Sequence, residues 1–228
     1  MEMNAENLKT ARLAGGWTQS EAASRLGVSQ PYYSQLESGF RPVPGELALT
    51  AAREFQLSPV TLPLPALDPQ LAPMDPAELS AQIAGFGYPG LAHLRKASKP
   101  LNPAFVVAAA LAHADLDTRL VEALPWVLSA FSDLDWGWLS AQCRLRNQQN
   151  RLGYLVSLAM TLAGPAAANA LADVLSDLER SRLAVEGTLC RESMSPAERT
   201  WARKHRPIEA AHWNLLTVLT ADQLTHAA

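Results

Sequence analysis

Between Pro59 and Pro76 the chain reads PVTLPLPALDPQLAPMDP, six prolines in eighteen residues. A proline has no amide proton and clashes with the preceding turn, so no regular helix can run through such a stretch. The run divides the chain into residues 1–58, a linker or strap over 59–76, and residues 77–228. Leu62, Leu64, Leu67 and Leu71 lie within it, which predicts a strap laid on a domain surface rather than a loose tether. The composition, 48% apolar and 18% charged, provides for a sizeable core. Cys143 and Cys190 have 46 residues between them and no CxxC, which argues against a disulfide scaffold or thiolate zinc site and fits a reducing cytoplasm. No basic leader with an apolar run opens the sequence, and no uninterrupted apolar stretch has the length of a membrane span. The expectation is a cytoplasmic protein with no membrane partner.

Beyond Pro76 the sequence predicts helices over 77–86, 90–97, 103–114, 117–131, 135–148, 150–163, 166–185 and 196–220. Leu120, Val121, Leu124, Val127, Leu128 and Phe131 recur at threes and fours, as do Leu152, Leu155, Val156, Ala159 and Leu162, the spacing of a buried helical face. Asp115, Asp133 and Pro165 precede periodic runs, where a helix start favours them. The predicted fold class is all-α, with an irregular helical bundle over 77–228.

Residues 7–57, NLKTARLAGGWTQSEAASRLGVSQPYYSQLESGFRPVPGELALTAAREFQL, carry the most informative pattern. Thr18 and Glu21 form a capping box, Gly27 closes that helix, Ser29 caps the next, and Pro31 sits in its first turn. Tyr33 and Leu36 share its inner side. Two short helices joined by so tight a turn present the second one outward, as entry into a DNA major groove requires.

On the WTQ opening, Ala22–Ala23, the LGVSQ turn, the QLESG helix end and a following helix ending near Phe55, the segment resembles the lambda-repressor-like, or Xre, family of helix-turn-helix regulators. The resemblance implies that Gln19 anchors a phosphate and that Gln30, Pro31 and Gln35 face base edges. It places Tyr32 and Ser34 at the flanks of the groove. Glutamine can pair bidentately with adenine, proline can meet a thymine methyl, and hydroxyls can donate to phosphate. Pro31 with two tyrosines departs from the small or polar residues common there and leaves the base-reading code open. Arg41, just past the helix, is the nearest cation for a phosphate or the minor groove. Glu37 matches an acid with a structural role, and Lys9 and Arg12 read equally as solubilising or phosphate-binding.

The net charge of −3 does not itself favour nucleic acid. Residues 1–60 hold Lys9, Arg12, Arg25, Arg41 and Arg53 against Glu2, Glu6, Glu21, Glu37, Glu46 and Glu54. Affinity must therefore come from local placement and from two copies, a homodimer on a palindromic double-stranded operator.

His93, His113, His205, His212 and His226 form neither HxxxH nor HExxH, and GxxxxGK and GxSxG are missing. Asp133 and Asp135 make a DxD whose ordinary service is capping. The expectation is no enzyme, no metal and no cofactor.

Trp126, Trp136, Trp138 and Tyr154 gather near Arg144, Arg146 and Arg151, with no acidic residue from 136 to 172. The cluster reads either as a tryptophan core or as a protein-binding surface of Trp136, Trp138, Arg144, Arg146 and Arg151. With FGYPGLAHL at 86–94, LVEALPW at 120–126 and TLCRESMSPAERTWARKHRPIEAAHWNLLT at 188–217, the chain resembles bacterial Xre-type regulators with helical C-terminal extensions. Several of these are encoded beside nucleotidyltransferase-like toxins. That resemblance implies an autoregulating repressor and, as an alternative, an antitoxin that binds a toxin protein; a ligand-sensing regulator is the third reading.

Overall fold

The computed structural model describes residues 3–95 and 99–224. The protein is all-α, with two two-residue strands added, and falls into two compact units. The first comprises residues 1–65 with 100–102, the second 66–99 with 103–228.

The first unit holds α1 (Ala5–Ala14), α2 (Gln19–Arg25), α3 (Gln30–Glu37) and α4 (Gly45–Glu54), followed by a 3-10 turn over Pro59–Thr61. Leu8, Ala22, Tyr33, Leu36 and Ala51 are fully buried at its centre, and Phe55 and Leu62 complete the core. Asn102 joins this unit: its Nδ2 donates to the Val60 carbonyl at 3.0 Å and the Leu62 carbonyl at 2.7 Å.

The second unit contains α5 (Pro76–Gly85), a 3-10 helix (Pro89–Leu94), α6 (Pro103–Leu111), α7 (Thr118–Ala130), α8 (Trp136–Leu145), α9 (Gln149–Leu162), α10 (Pro165–Glu179), β1 (Gly187–Thr188), α11 (Pro196–His205), α12 (Ile208–His212) and β2 (Leu215–Leu216). The strands pair in parallel, Gly187 opposite Leu215. No described helix is long and apolar enough to cross a membrane.

Three expected elements differ. Over 90–97 the structure has the 3-10 helix instead, opened by Pro89; residues 96–97, like His226, lie outside the described residues. The expected helix over 196–220 stops at His205, because Pro207 disfavours helical backbone at Arg206. Asn214 then takes φ 53°, the left-handed region that asparagine tolerates, and the chain turns into β2. The expected 166–185 helix ends at Glu179. In the proline run, Val60 and Leu62 are buried in the first unit and Leu71 and Met74 in the second, whereas Leu64 is half-buried and Leu67 exposed.

The hub of the second unit is α9, which packs against α7, α8, α10 and α12. Its first turn is polar yet buried. Asn150 donates to the carbonyls of Leu183 at 2.9 Å and Trp213 at 2.8 Å and accepts from the Leu183 amide at 2.8 Å, so it ties the chain after α10 to the C-terminal segment. One turn on, Gly153 provides the space for Trp213, whose indole donates to the Ser157 hydroxyl at 3.2 Å. The Tyr154 hydroxyl donates to the Leu219 carbonyl.

A Cβ on Gly153 would lie 2.4 Å from the Trp213 ring, which is buried and cannot swing away. The gain in helix propensity on replacing glycine by alanine is about 1 kcal/mol, against about 1–3 kcal/mol for overpacking a core. At 2.4 Å overpacking wins, so Gly153→Ala lowers the urea midpoint followed by tryptophan fluorescence; an unchanged or higher midpoint contradicts this packing.

Candidate nucleic-acid interface

Local sequence rules position α2 and α3. The Thr18 hydroxyl accepts from the Glu21 amide at 3.2 Å, and the Glu21 carboxylate accepts from the Thr18 amide at 2.7 Å and the Thr18 hydroxyl at 2.9 Å, which holds the Glu21 carboxyl below its ordinary range. Gly27, at φ 68°, makes the left-handed turn that ends α2. The Val28 amide closes it by donating to the Ala23 carbonyl at 3.0 Å. Ser29 caps α3, with Pro31 in the first turn.

Tyr33 and Leu36 point inward with no exposure, and the Tyr33 hydroxyl donates to the Leu8 carbonyl at 3.3 Å. Helical geometry therefore puts Pro31, Ser34 and Gln35 on the opposite side, while Gln30, three residues before Tyr33, reaches solvent as the first residue of the helix. Gln30 and Pro31 are exposed, and Tyr32, Ser34 and Gln35 half-buried. Past Gly39, which is at φ 76°, the Arg41 amide donates to the Gln35 carbonyl at 3.1 Å and its guanidinium lies 5.7 Å from the centre of the Tyr32 ring. All seven expected residues except Gln19 thus belong to α3 or the loop that folds back on it.

Gln19 is joined to them by its side chain. Glu37, almost wholly buried, accepts from Arg12 Nε at 3.1 and 3.0 Å and from Arg12 Nη2 at 2.6 Å, and also from Gln19 Nε2 at 3.3 Å. Gln19 Oε1 in turn accepts from Gln30 Nε2 at 3.0 Å. A chain of hydrogen bonds therefore runs from α1 through Glu37 to the exposed first residue of α3. Arg12 Nη1 completes its set on the Trp17 carbonyl at 3.0 Å. The Glu37 carboxylate raises the Arg12 pKa, and its side chain is only 14% exposed, so Arg12 belongs to the frame and not to a phosphate-binding surface.

The Arg12–Glu37 pair was open in the sequence, but a signal was there. Arg12 is four residues after buried Leu8 and Glu37 four after buried Tyr33, so each charge sits on an inward stripe. Of the other cations, Arg53 contacts Glu54 at 3.1 Å and Arg25 lies 4.3 Å over the Trp17 ring, while Lys9 and Arg41 are exposed.

The cluster in the second unit is different. Arg144 bonds the Asp177 carboxylate and the Ser181 hydroxyl, the latter at 3.0 Å, and so joins α8 to α10. Arg151 donates to the carbonyls of Leu111 and His113 at 3.0 Å and of Thr188 at 2.8 Å, and pairs with Glu192 at 2.8 Å. Arg146 donates to the Leu71 carbonyl, and the Trp136 indole to the Ser132 carbonyl at 2.9 Å. Trp138, half-buried, donates its amide at 2.9 Å to Asp135, whose carboxylate caps the helix start. Of the expected docking residues Trp136, Trp138, Arg144, Arg146 and Arg151, Arg144 and Arg151 have acceptors within the bundle and tie its segments together.

A helix-turn-helix family model matches residues 8–62. No curated protein and no solved structure matches the chain. Residues 8–62 are an Xre-like helix-turn-helix domain, the class found in DNA-binding transcriptional regulators.

Two outcomes follow from the buried groups. Glu37→Ala strands a largely buried guanidinium and costs about 3 kcal/mol, near the low end for a broken buried pair. Chemical denaturation of the first unit measures it, and a loss below about 1 kcal/mol contradicts the role given to Glu37. Burial, and then the Glu37 carboxylate, push the Tyr33 phenol up to about 12. The folded state holds this proton more tightly than the unfolded chain, so the contribution is complete below about pH 10 and is lost as pH rises toward 12. Wild type should lose stability faster than Tyr33→Phe across that window; parallel curves contradict it.

Proposed function

We propose that the protein is a sequence-specific transcriptional repressor acting inside the cell, which binds a palindromic operator as a homodimer and regulates its own synthesis. The observation that carries this reading is the outward face of α3, where Gln30 is fixed by Gln19 and, through it, by buried Glu37. Gln30 uses one Nε2 hydrogen on Gln19. The second hydrogen and Oε1 remain for the N7 and N6 edge of adenine, the bidentate pairing glutamine makes in the major groove. Pro31 offers an apolar contact to a thymine methyl, Gln35 a second amide, Tyr32 and Ser34 hydroxyls for the groove wall, and Arg41 a phosphate contact. Gln19 takes a positioning role for Gln30 in addition to its place at the start of α2.

The need for two copies follows from the charges. Arg12 is committed internally and Arg53 faces Glu54, which leaves Lys9, Arg25 and Arg41 for phosphates. Three phosphate contacts per copy give a slope of log K against log salt of about −3, and two copies about −5. A slope near −5 on an operator footprint with two half-sites is expected; a slope near −3 on one nonpalindromic half-site contradicts the dimer.

Sites selected from random duplexes test the reading face. Gln30→Ala and Gln35→Ala should each relax one base position, by about 1–3 kcal/mol of discrimination, while Arg41→Ala weakens all sequences alike. Gln19→Ala should loosen the same position as Gln30→Ala. Unchanged selected motifs in both Gln30→Ala and Gln35→Ala overturn the assignment.

A further inference from the structure

We infer that the second unit contains a binding site for a small organic anion bearing a phosphate or carboxylate group, in the cavity between the α8–α9 turn and the segment around β1. The cavity has a volume of about 410 Å³, within the size range of small-ligand sites, and its walls include Arg146, Asn147, Asn150, Arg151, Gly187 and Thr188.

Three independent features give it an affinity for negative charge. The first is Arg146. It forms no ion pair among the described residues, its guanidinium bonds the Leu71 carbonyl, and its Nε is buried with no acceptor. A cation held this way is under-compensated, and an anion in the cavity it lines offsets that cost.

The second feature is the charge balance of the walls together with the residues ion-paired to them. Glu186 and Glu192 also border the cavity, but each is matched by two arginines. Glu186 meets Arg203 and, at 3.2 Å, Arg206; Glu192 meets Arg151 at 2.8 Å and Arg199 at 3.3 Å. The walls themselves are balanced, Arg146 and Arg151 against Glu186 and Glu192, but Arg199, Arg203 and Arg206 stand behind the two glutamates, so the surroundings are net positive even counting Asp115 beside Arg151. Close to neutral overall, the protein concentrates positive charge here.

The third is the start of α9. Its capping position, Gln148, makes no side-chain capping bond, and its first turn carries no acid. The start of this fourteen-residue helix therefore keeps its partial positive charge, and its residues Gln148, Asn150 and Arg151 line the cavity. A guanidinium and an uncapped helix start converging on one polar cavity recognise a phosphate or carboxylate head.

The test is a calorimetric and NMR titration of the full chain with inorganic phosphate, with acetate as the carboxylate probe and chloride at matched ionic strength as the reference. Saturable binding of phosphate or acetate beyond chloride is expected, with amide shifts centred on Asn147, Gly187 and Thr188. The stronger probe identifies the head group. Arg146→Gln should weaken that binding about tenfold or more, while Arg180→Gln, an exposed arginine that does not line the cavity, leaves it unchanged. Equal binding to Arg146→Gln and wild type, no difference between either probe and chloride, or shifts centred elsewhere overturns the inference. If Arg146→Gln does not fold, the wild-type shift map and Arg146→Lys, which keeps charge but loses the planar fork, still decide it.

Discussion

A carboxylate buried in a small helical domain must be met by donors on every side or it expels itself to solvent, and Glu37 is such a group. Its partners come from two other helices: Arg12 from α1, in a two-pronged contact, and Gln19 from α2. One acid thereby fixes the relative rotation of three helices. It also fixes a side chain it does not touch, because Gln19 holds Gln30 on the outside of α3. Removing freedom from a base-reading side chain before it meets DNA reduces the entropy lost on binding. The interior of the domain thus prepares its surface.

The second unit applies the same physics to a different end. The first turn of α9 is built from residues that favour water, yet Gln148, Gln149 and Asn150 are buried, and Gln149 and Asn150 bind the carbonyls of segments that carry no helix of their own. Those segments, 180–187 and 213–216, gain their shape from side-chain bonds together with the short β1–β2 pairing. Arg144 and Arg151 extend the set to α10, α6 and β1. Trp213 then closes against Gly153, where any larger residue would collide. Buried polar groups with specific acceptors define one packing among many that an alanine- and leucine-rich bundle could adopt.

Much of this was legible in sequence where the signals are local. Thr18 with Glu21, Gly27, Ser29 and Pro31 each act within a few residues, so the α2–turn–α3 unit and its outward face followed directly. The apolar stripes of α7 and α9 were equally plain. What sequence reading left open involved partners far apart in the chain. Arg12 and Glu37 are 25 residues apart, and neither announces its partner. Arg151 reaches carbonyls that any residue could supply, so its cluster of arginines and tryptophans read as easily as a docking surface. The helix expected over 196–220 stops at His205 for a local reason, since Pro207 disfavours helical backbone at Arg206.

The central claim is that the outer face of α3 meets DNA bases. The direct measurement is an NMR titration of the isotope-labelled full chain with a duplex carrying the sequence the protein itself selects. The account predicts the largest amide and side-chain perturbations at Gln30, Pro31's neighbours Tyr32 and Ser34, and Gln35, with a second group at Gln19 and Arg41 and little change at Tyr33 and Leu36. Perturbations confined to residues 103–224, with the Gln30 and Gln35 side-chain amides unmoved at saturation, would contradict it.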